Sequence, residues 1–313
     1  MKRIIALCLG VALLASCTQH DELVDSGLIR LGVKAGAYSR ASATSAGLSA
    51  IGDKIGIFGV VTGKSSAADL LSNEWILNPL MNNVCTKSVD ETTGAIEWEH
   101  AYSYPQEANR FVKFCAYHPY ASANAASGNY VEMTSGQAPL LHFTLTGGED
   151  VMCADPVIGS RDQNPDDLVF SHVLTQLRFM LVDADGVLQN TKITKIALND
   201  VNTTSTMNIE TGKLGEWGTL ASSFVVQDSD IKVGEELKNK VMLQPEQPDF
   251  KMTITTTGGT QYSNVVIRPD RGDAFKAGTS YLITLTFRNN EGVKAVAKVE
   301  PWIEGGYGIG IVQ

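Results

Sequence analysis

Histidine and cysteine are both scarce, five of each in 313 residues, and neither is arranged for chemistry. His20, His100, His118, His142 and His172 never stand at i, i+4, so no helical zinc pair is encoded. Once Cys8 and Cys17 in the leader region are set aside, Cys85, Cys115 and Cys153 remain. An odd number without a Cys-x-x-Cys pair argues against a disulfide framework and for single buried thiols. No Gly-x-Ser-x-Gly elbow is present for a hydrolase nucleophile. Gly59-Val60-Val61-Thr62-Gly63-Lys64-Ser65 lacks one residue of a phosphate-binding loop, and Asp183-Ala184-Asp185-Gly186 lacks the closing Glu of a calcium loop, since position 194 is Thr. No cofactor, metal site or catalytic residue is indicated, and an enzyme is not expected. Positive charge is also in deficit: 25 Lys and Arg against 34 Asp and Glu, net −9, which excludes broad electrostatic capture of nucleic acid.

What is present begins with an address. Lys2 and Arg3 precede an apolar run from Ile4 to Leu14, too short to span a bilayer comfortably, and Ala15-Ser16 give it a small-residue exit. The sequence Leu14-Ala15-Ser16-Cys17 looks like a bacterial lipobox. Residues 1–16 are therefore expected to be removed and Cys17 to carry lipid, which would tether the protein to a membrane without a basic patch. Loss of Lys2 and Arg3 takes the positive count from 25 to 23 against 34 acidic residues, net −11.

The mature chain reads as strands. Tyr281, Ile283, Leu285 and Phe287 alternate, a turn follows at Asn289-Asn290-Glu291-Gly292, and Val293, Ala295, Ala297 and Val299 alternate again, as in an antiparallel hairpin. Phe250, Met252 and Ile254, then Gly258-Gly259, then Tyr262 to Ile267 repeat that plan. Ile55 to Phe58, Phe111 to Tyr117, Leu140 to Leu145 and Leu177 to Leu181 are further strands. No long stretch keeps a helical period; Ser65 to Asn83 is a short helix or a surface loop. Short strands with turn residues between them predict an all-β protein of β-sandwich type. The Asp-rich stretch Asp155 to Asp167, with Pro156 and Pro165, reads as an interdomain linker, dividing the chain into domains 17–163 and 164–313. Trp75, Trp98, Trp217 and Trp302 could be absorbed by cores or offer stacking surfaces to a sugar. Arg271-Gly272-Asp273 lies beside Pro269 in a turn-rich stretch and is read as a chance tripeptide.

Two segments share one alternation. Ile29, Leu31, Val33, Ala35 and Ala37 form an apolar face, with Arg30, Gly32, Lys34 and Gly36 between them, and the small, polar stretch Tyr38 to Gly47 follows as a protease-accessible loop. Near the C-terminus Ile303, Gly305, Tyr307, Ile309 and Ile311 alternate with Glu304, Gly306, Gly308 and Gly310. Both could be ordinary strands of their own domains. Alternatively, a cut at Arg40 releases residues 28–40, and the tail of a neighbouring molecule fills the vacated groove through Tyr307, Ile309 and Ile311. One donor and one acceptor per molecule give a heterologous contact, which builds filaments.

In chain order, the lipobox at Cys17, the strand ending in Ser39-Arg40-Ala41, Gly52-Asp53-Lys54-Ile55-Gly56-Ile57-Phe58, Phe114-Cys115-Ala116-Tyr117-His118-Pro119-Tyr120, Asp167-Leu168-Val169-Phe170-Ser171-His172, and Tyr281 to Phe287 ending near Trp302 resemble the fimbrillin family of Bacteroidales, subunits of type V pili. The resemblance implies two transthyretin-like Greek-key β-sandwich domains in tandem, with export as an outer-membrane lipoprotein. It also implies cleavage between Arg40 and Ala41 by an Arg-specific protease and polymerisation by donor-strand exchange with copies of itself or related subunits. Phe170 and His172 match a family motif and read as a core aromatic and a satisfied histidine. The same family contains tip adhesins and anchors, so a non-polymerising surface lipoprotein that binds a host glycan or protein is the alternative.

Overall fold

A computed structural model of the chain describes residues 27–35, 54–62, 75, 79–90, 92–107, 110–124, 128–289 and 292–300. Among these residues every regular element is a strand, arranged in four larger sheets and one small hairpin.

The first sheet runs in the order β1 (Val33–Ala35), β11 (Leu168–His172), β9 (Met152–Ala154), β6 (Phe111–His118), β2 (Gly56–Thr62), β3 (Met81–Cys85), with β10 (Val157–Ser160) also paired to β6. A second sheet has the order β15 (Gly218–Ala221), β14 (Val201–Asn208), β8 (Leu140–Thr144), β7 (Tyr130–Glu132). The two share a core of Phe58, Val60, Tyr117, Leu141, Phe143, Met207 and their neighbours. On its opposite face the first sheet is covered by residues 29–33, by the hairpin β4 (Ser88–Val89) and β5 (Ile96–Glu97), and by Trp98, Tyr102 and Tyr104. Because β6 is covered on both faces, its sequence is a continuous buried run from Val112 to His118, not an alternation.

The remaining sheets are β17 (Val241–Leu243), β12 (Thr175–Asp183), β20 (Ser280–Arg288), β21 (Gly292–Glu300), and β16 (Phe224–Gln227), β13 (Ile193–Asn199), β18 (Phe250–Thr256), β19 (Gln261–Ile267). They enclose one core, supplied on one side by Leu177, Phe179, Ile283 and Leu285 and on the other by Ile196, Leu198, Met252 and Ile254. Both predicted hairpins form, with Phe287 opposite Val293 and Phe250 opposite Ile267. In the second, Gly258 and Gly259 turn the chain at φ 87° and 84°. The Asp183 carboxylate accepts the Val187 and Leu188 amides at 2.7 and 3.0 Å, closing a turn.

The expected division at residues 163/164 is crossed by the sheets. Strand β11 pairs with β1 and β9, and β14 and β15 join β8 and β7. The predicted linker contributes β10, which lies antiparallel to β6. Alternation reports that a strand has a buried face; it carries no information on which edge the strand will join, and here the 201–221 hairpin is donated back to the earlier sheets. The three cysteines are free thiols, Cys115 and Cys153 buried and Cys85 partly so. Burial raises the Cys153 thiol to about 12, so it is protonated and inert at neutral pH.

Candidate functional site: a groove holding the first strand

The groove is assembled from β11 on one side and residues 94–104 on the other, with segment 27–35 between them. Strand β1 runs parallel to β11, Val33 opposite Leu168 and Ala35 opposite Phe170, and Leu168 N–H donates to Gly32 O at 2.8 Å. Across the other edge, Ile29 N–H donates to Tyr102 O and Val33 N–H to Gly94 O, each at 2.8 Å. Ile96 N–H returns a bond to Leu31 O at 3.0 Å, and the Trp98 indole N–H donates to Ile29 O at 3.2 Å. The segment is thus hydrogen-bonded along both edges and cannot leave without exposing two strand borders.

Its side chains follow the predicted alternation. Ile29, Leu31 and Val33 are 2%, 4% and 1% exposed, while Arg30 and Lys34 face solvent. The floor beneath them is Ile57, Val112, Phe114, Leu168 and Phe170, all fully buried. Hiding three large aliphatic chains contributes roughly 5–9 kcal/mol before ordering costs, so the segment is a core element of the first sheet and not a surface strap.

Two glycines fix how closely the segment seats. Gly94, at φ 73°, ends the turn begun by Asp90, whose carboxylate accepts the Thr92 and Thr93 amides at 3.0 and 2.7 Å. A Cβ at Gly94 would lie 2.2 Å from Val33 O, a backbone atom with no room to yield. A Cβ at Gly32 would stand 2.0 Å from Asp167 Oδ1 and 2.9 Å from its Cγ. Asp167 is held there by Lys34 Nζ at 2.6 Å, and this bond raises the Lys34 amine above its usual value. Both ends are exposed, so the pair orients Asp167 without adding appreciable stability.

Of the sequence-predicted positions, Ile29, Leu31 and Val33 line this groove, and Ala35 lies in β1. Cys17, Ala37, Arg40, Ala41, Tyr307, Ile309 and Ile311 lie outside the described residues. Phe170 is wholly buried in the groove floor, and His172 Nδ1 lies 2.8 Å from Asp150 Oδ1. Neighbouring His118 is held below its usual pKa by burial and contacts Lys54 O through Nδ1 at 3.2 Å. These histidines are consumed by local contacts.

Sequence reasoning missed two features. Lys113, within the apolar run of β6, forms a buried pair with Glu210 (Nζ to Oε1, 2.6 Å), and Glu210 Oε2 accepts the Trp75 indole N–H at 2.8 Å. Lys113 Nζ also sits 5.1 Å from the Trp75 ring centroid. A lysine inside a fully buried strand was the available signal. The second is a cavity of about 570 Å³ lined by Asn82, Asn83, Tyr120, Tyr130, Glu132 and Met133, residues from β3, β7 and nearby loops. Tyr130 stacks on His142 at 4.3 Å, and Asn83 is fixed by the Tyr117 hydroxyl at 2.7 Å.

Comparison with known proteins follows from this architecture. A crystal structure of a candidate cell adhesion protein from Bacteroides uniformis superposes with a TM-score of 0.58 at 20% identity, covering 88% of this chain and 99% of that one. One from Bacteroides ovatus gives 0.57 at 17% identity, covering 88% and 97%. The tip fimbrial protein Mfa3 of Porphyromonas gingivalis, truncated at its C-terminus, gives 0.44 at 11% identity, covering 88% and 99%. The first two share the fold. No curated protein sequence matches the chain. The model of the fimbrillin-like family matches residues 39–302, nearly the whole chain, and the protein therefore belongs to the fimbrillin-like family.

Proposed function

We propose that the protein is a structural subunit of a cell-surface fimbria, a pair of transthyretin-like Greek-key sandwiches that polymerises by strand exchange and serves adhesion, not catalysis. It is exported as an outer-membrane lipoprotein through Cys17, an Arg-specific protease cuts between Arg40 and Ala41, and the segment ending there departs. The tail of another copy or a related subunit then fills the groove with Tyr307, Ile309 and Ile311. The observation that carries this reading is the burial of Ile29, Leu31 and Val33 in a slot bonded on both edges, five residues before the start of an arginine-bearing polar stretch. Precursor treated with an Arg-specific protease is expected to lose residues up to Arg40 and to form ladders on unheated denaturing gels. A variant lacking residues 307–313 should be trimmed equally and remain monomeric. Trimmed protein that keeps its tail and stays monomeric would overturn the proposal.

A second reading, a non-polymerising surface lipoprotein or tip adhesin for a host glycan, rests on the cavity between β3 and β7. Its tyrosines, amides and Glu132 combine a flat apolar surface with hydrogen-bonding groups, the pairing a neutral sugar requires. Under this reading the tail-deleted protein still binds a glycan from an immobilised panel, and Tyr130→Ala abolishes that binding. A panel without a hit removes it.

A further inference from the structure

We infer that residues 270–274 form a docking loop for a cell-surface receptor of the Arg-Gly-Asp-binding integrin type. Such a receptor takes a carboxylate on a bound divalent cation and a guanidinium in an acidic cleft. The inference rests on the adhesion reading, for which it names a partner, and does not depend on strand exchange. From sequence alone Arg271-Gly272-Asp273 reads as a chance tripeptide. Its setting in the fold argues otherwise. The loop joins β19 to β20 and is clamped at both ends: Asp270 N–H donates to Ala297 O of β21 at 3.0 Å, and Phe275 N–H to Gln247 O at 2.9 Å. Phe275 is fully buried and meets the Tyr281 ring edge-on, which roots the returning chain in the core.

Between these anchors Arg271, Gly272 and Asp273 are all exposed. Gly272 turns the chain at φ 81°, and a Cβ built there would meet nothing within 4 Å, so no wall stands in the way of a partner. A loop fixed at both ends loses less freedom on binding than a free peptide. The neighbouring charges are already consumed: Arg268 reaches Asp249 at 3.5 Å, and Lys276 reaches Glu246 at 2.6 Å. Arg271 and Asp273 form no ion pair or side-chain hydrogen bond among the described residues, Asp273 acting on Lys276 only at longer range. Two residues apart, their Cα atoms lie within about 7 Å of each other, so one cleft can engage both. A hard divalent cation takes a carboxylate oxygen, and a planar guanidinium pairs bidentately with receptor carboxylates. A purely basic partner repels Arg271 and a purely acidic one repels Asp273. The partner must carry both features side by side.

The test immobilises the intact full-length chain and applies the soluble ectodomain of an Arg-Gly-Asp-binding integrin in manganese buffer. Saturable binding is expected, and both EDTA and an excess of a short Arg-Gly-Asp peptide should abolish it. Asp273→Glu keeps the charge but moves the carboxylate by one methylene, and should weaken binding about tenfold or more. Asp270→Glu, the same change beside the tripeptide, should stay within about twofold of the parent, as an exposed substitution outside the contact does. No binding, binding indifferent to EDTA or to the peptide, or equal affinities for the two variants would overturn the inference. Ladder formation after trimming at Arg40 is read on the same proteins. Ladders without receptor binding would sink the docking loop and leave the fimbrial reading standing, whereas receptor binding without ladders would do the reverse.

Discussion

Glu210→Ala is expected to destabilise the first pair of sheets by about 3–5 kcal/mol, the usual cost of stripping one partner from a buried ion pair. Lys113 and Glu210 have side chains only 5% and 6% exposed, and they join β6 of the first sheet to the turn after β14 of the second. Removing the carboxylate leaves an ammonium enclosed by Trp75 and the core around Phe58 and Tyr117, and orphans the Trp75 indole N–H. Loss of the carboxylate removes the ion pair that ties Lys113 on β6 to the turn after β14, and so loosens one sheet from the other. Lys113→Met with Glu210→Leu should recover much of the loss, because both desolvation penalties vanish together. Denaturant unfolding followed by tryptophan fluorescence, to which Trp75 and Trp217 of this core contribute, reads both variants. A Glu210→Ala unfolding free energy within about 1 kcal/mol of the parent would show that the pair is not structurally required.

That pair illustrates which parts of the molecule are legible in the chain and which are not. Hairpins β18–β19 and β20–β21 could be read directly, since period-two apolar runs and glycine turns are local signals. The slot-filling alternation of Ile29, Leu31 and Val33 was equally plain. Partners distant in sequence were not: Glu210 lies 97 residues beyond Lys113, and nothing near either residue announces the other. The same limit applies to β14, whose buried Val201, Thr203, Ser205 and Met207 alternate cleanly yet give no hint that it joins β8. Composition misled at Asp155–Asp167, where prolines and carboxylates suggested a linker. There Gly159 allows close packing, since a Cβ would lie 2.5 Å from the Tyr104 hydroxyl, and β10 fits beside β6. At β21 the alternation read as a hairpin strand, and the strand pairs with β20 as read. As a sheet edge it buries Ala297 fully but leaves Val299 55% exposed.

Gly94→Ala is expected to loosen segment 27–35 by about 2–4 kcal/mol and to do so without disturbing the sheets built on β12 and β13. Two penalties combine. Holding alanine at φ 73° costs about 1–2 kcal/mol wherever the turn is formed. The new Cβ also meets Val33 O at 2.2 Å, so the Val33 N–H to Gly94 O bond must lengthen or break. The first penalty acts whether or not the slot is occupied; the second exists only while a strand sits in it. Hydrogen exchange separates them. Amides of Ile29, Val33 and Leu168 should lose protection about 30- to 700-fold, taking 1.4 kcal/mol per factor of ten, while those of Ile283 and Leu285 in β20 keep theirs. Unchanged protection at Val33 would refute the steric account. Because the same wall receives whichever strand occupies the slot, the substitution should speed departure of the first strand and also weaken seating of its replacement. A trimmed Gly94→Ala protein that assembles as well as the parent would mean that the incoming strand does not follow the path of the one it replaces.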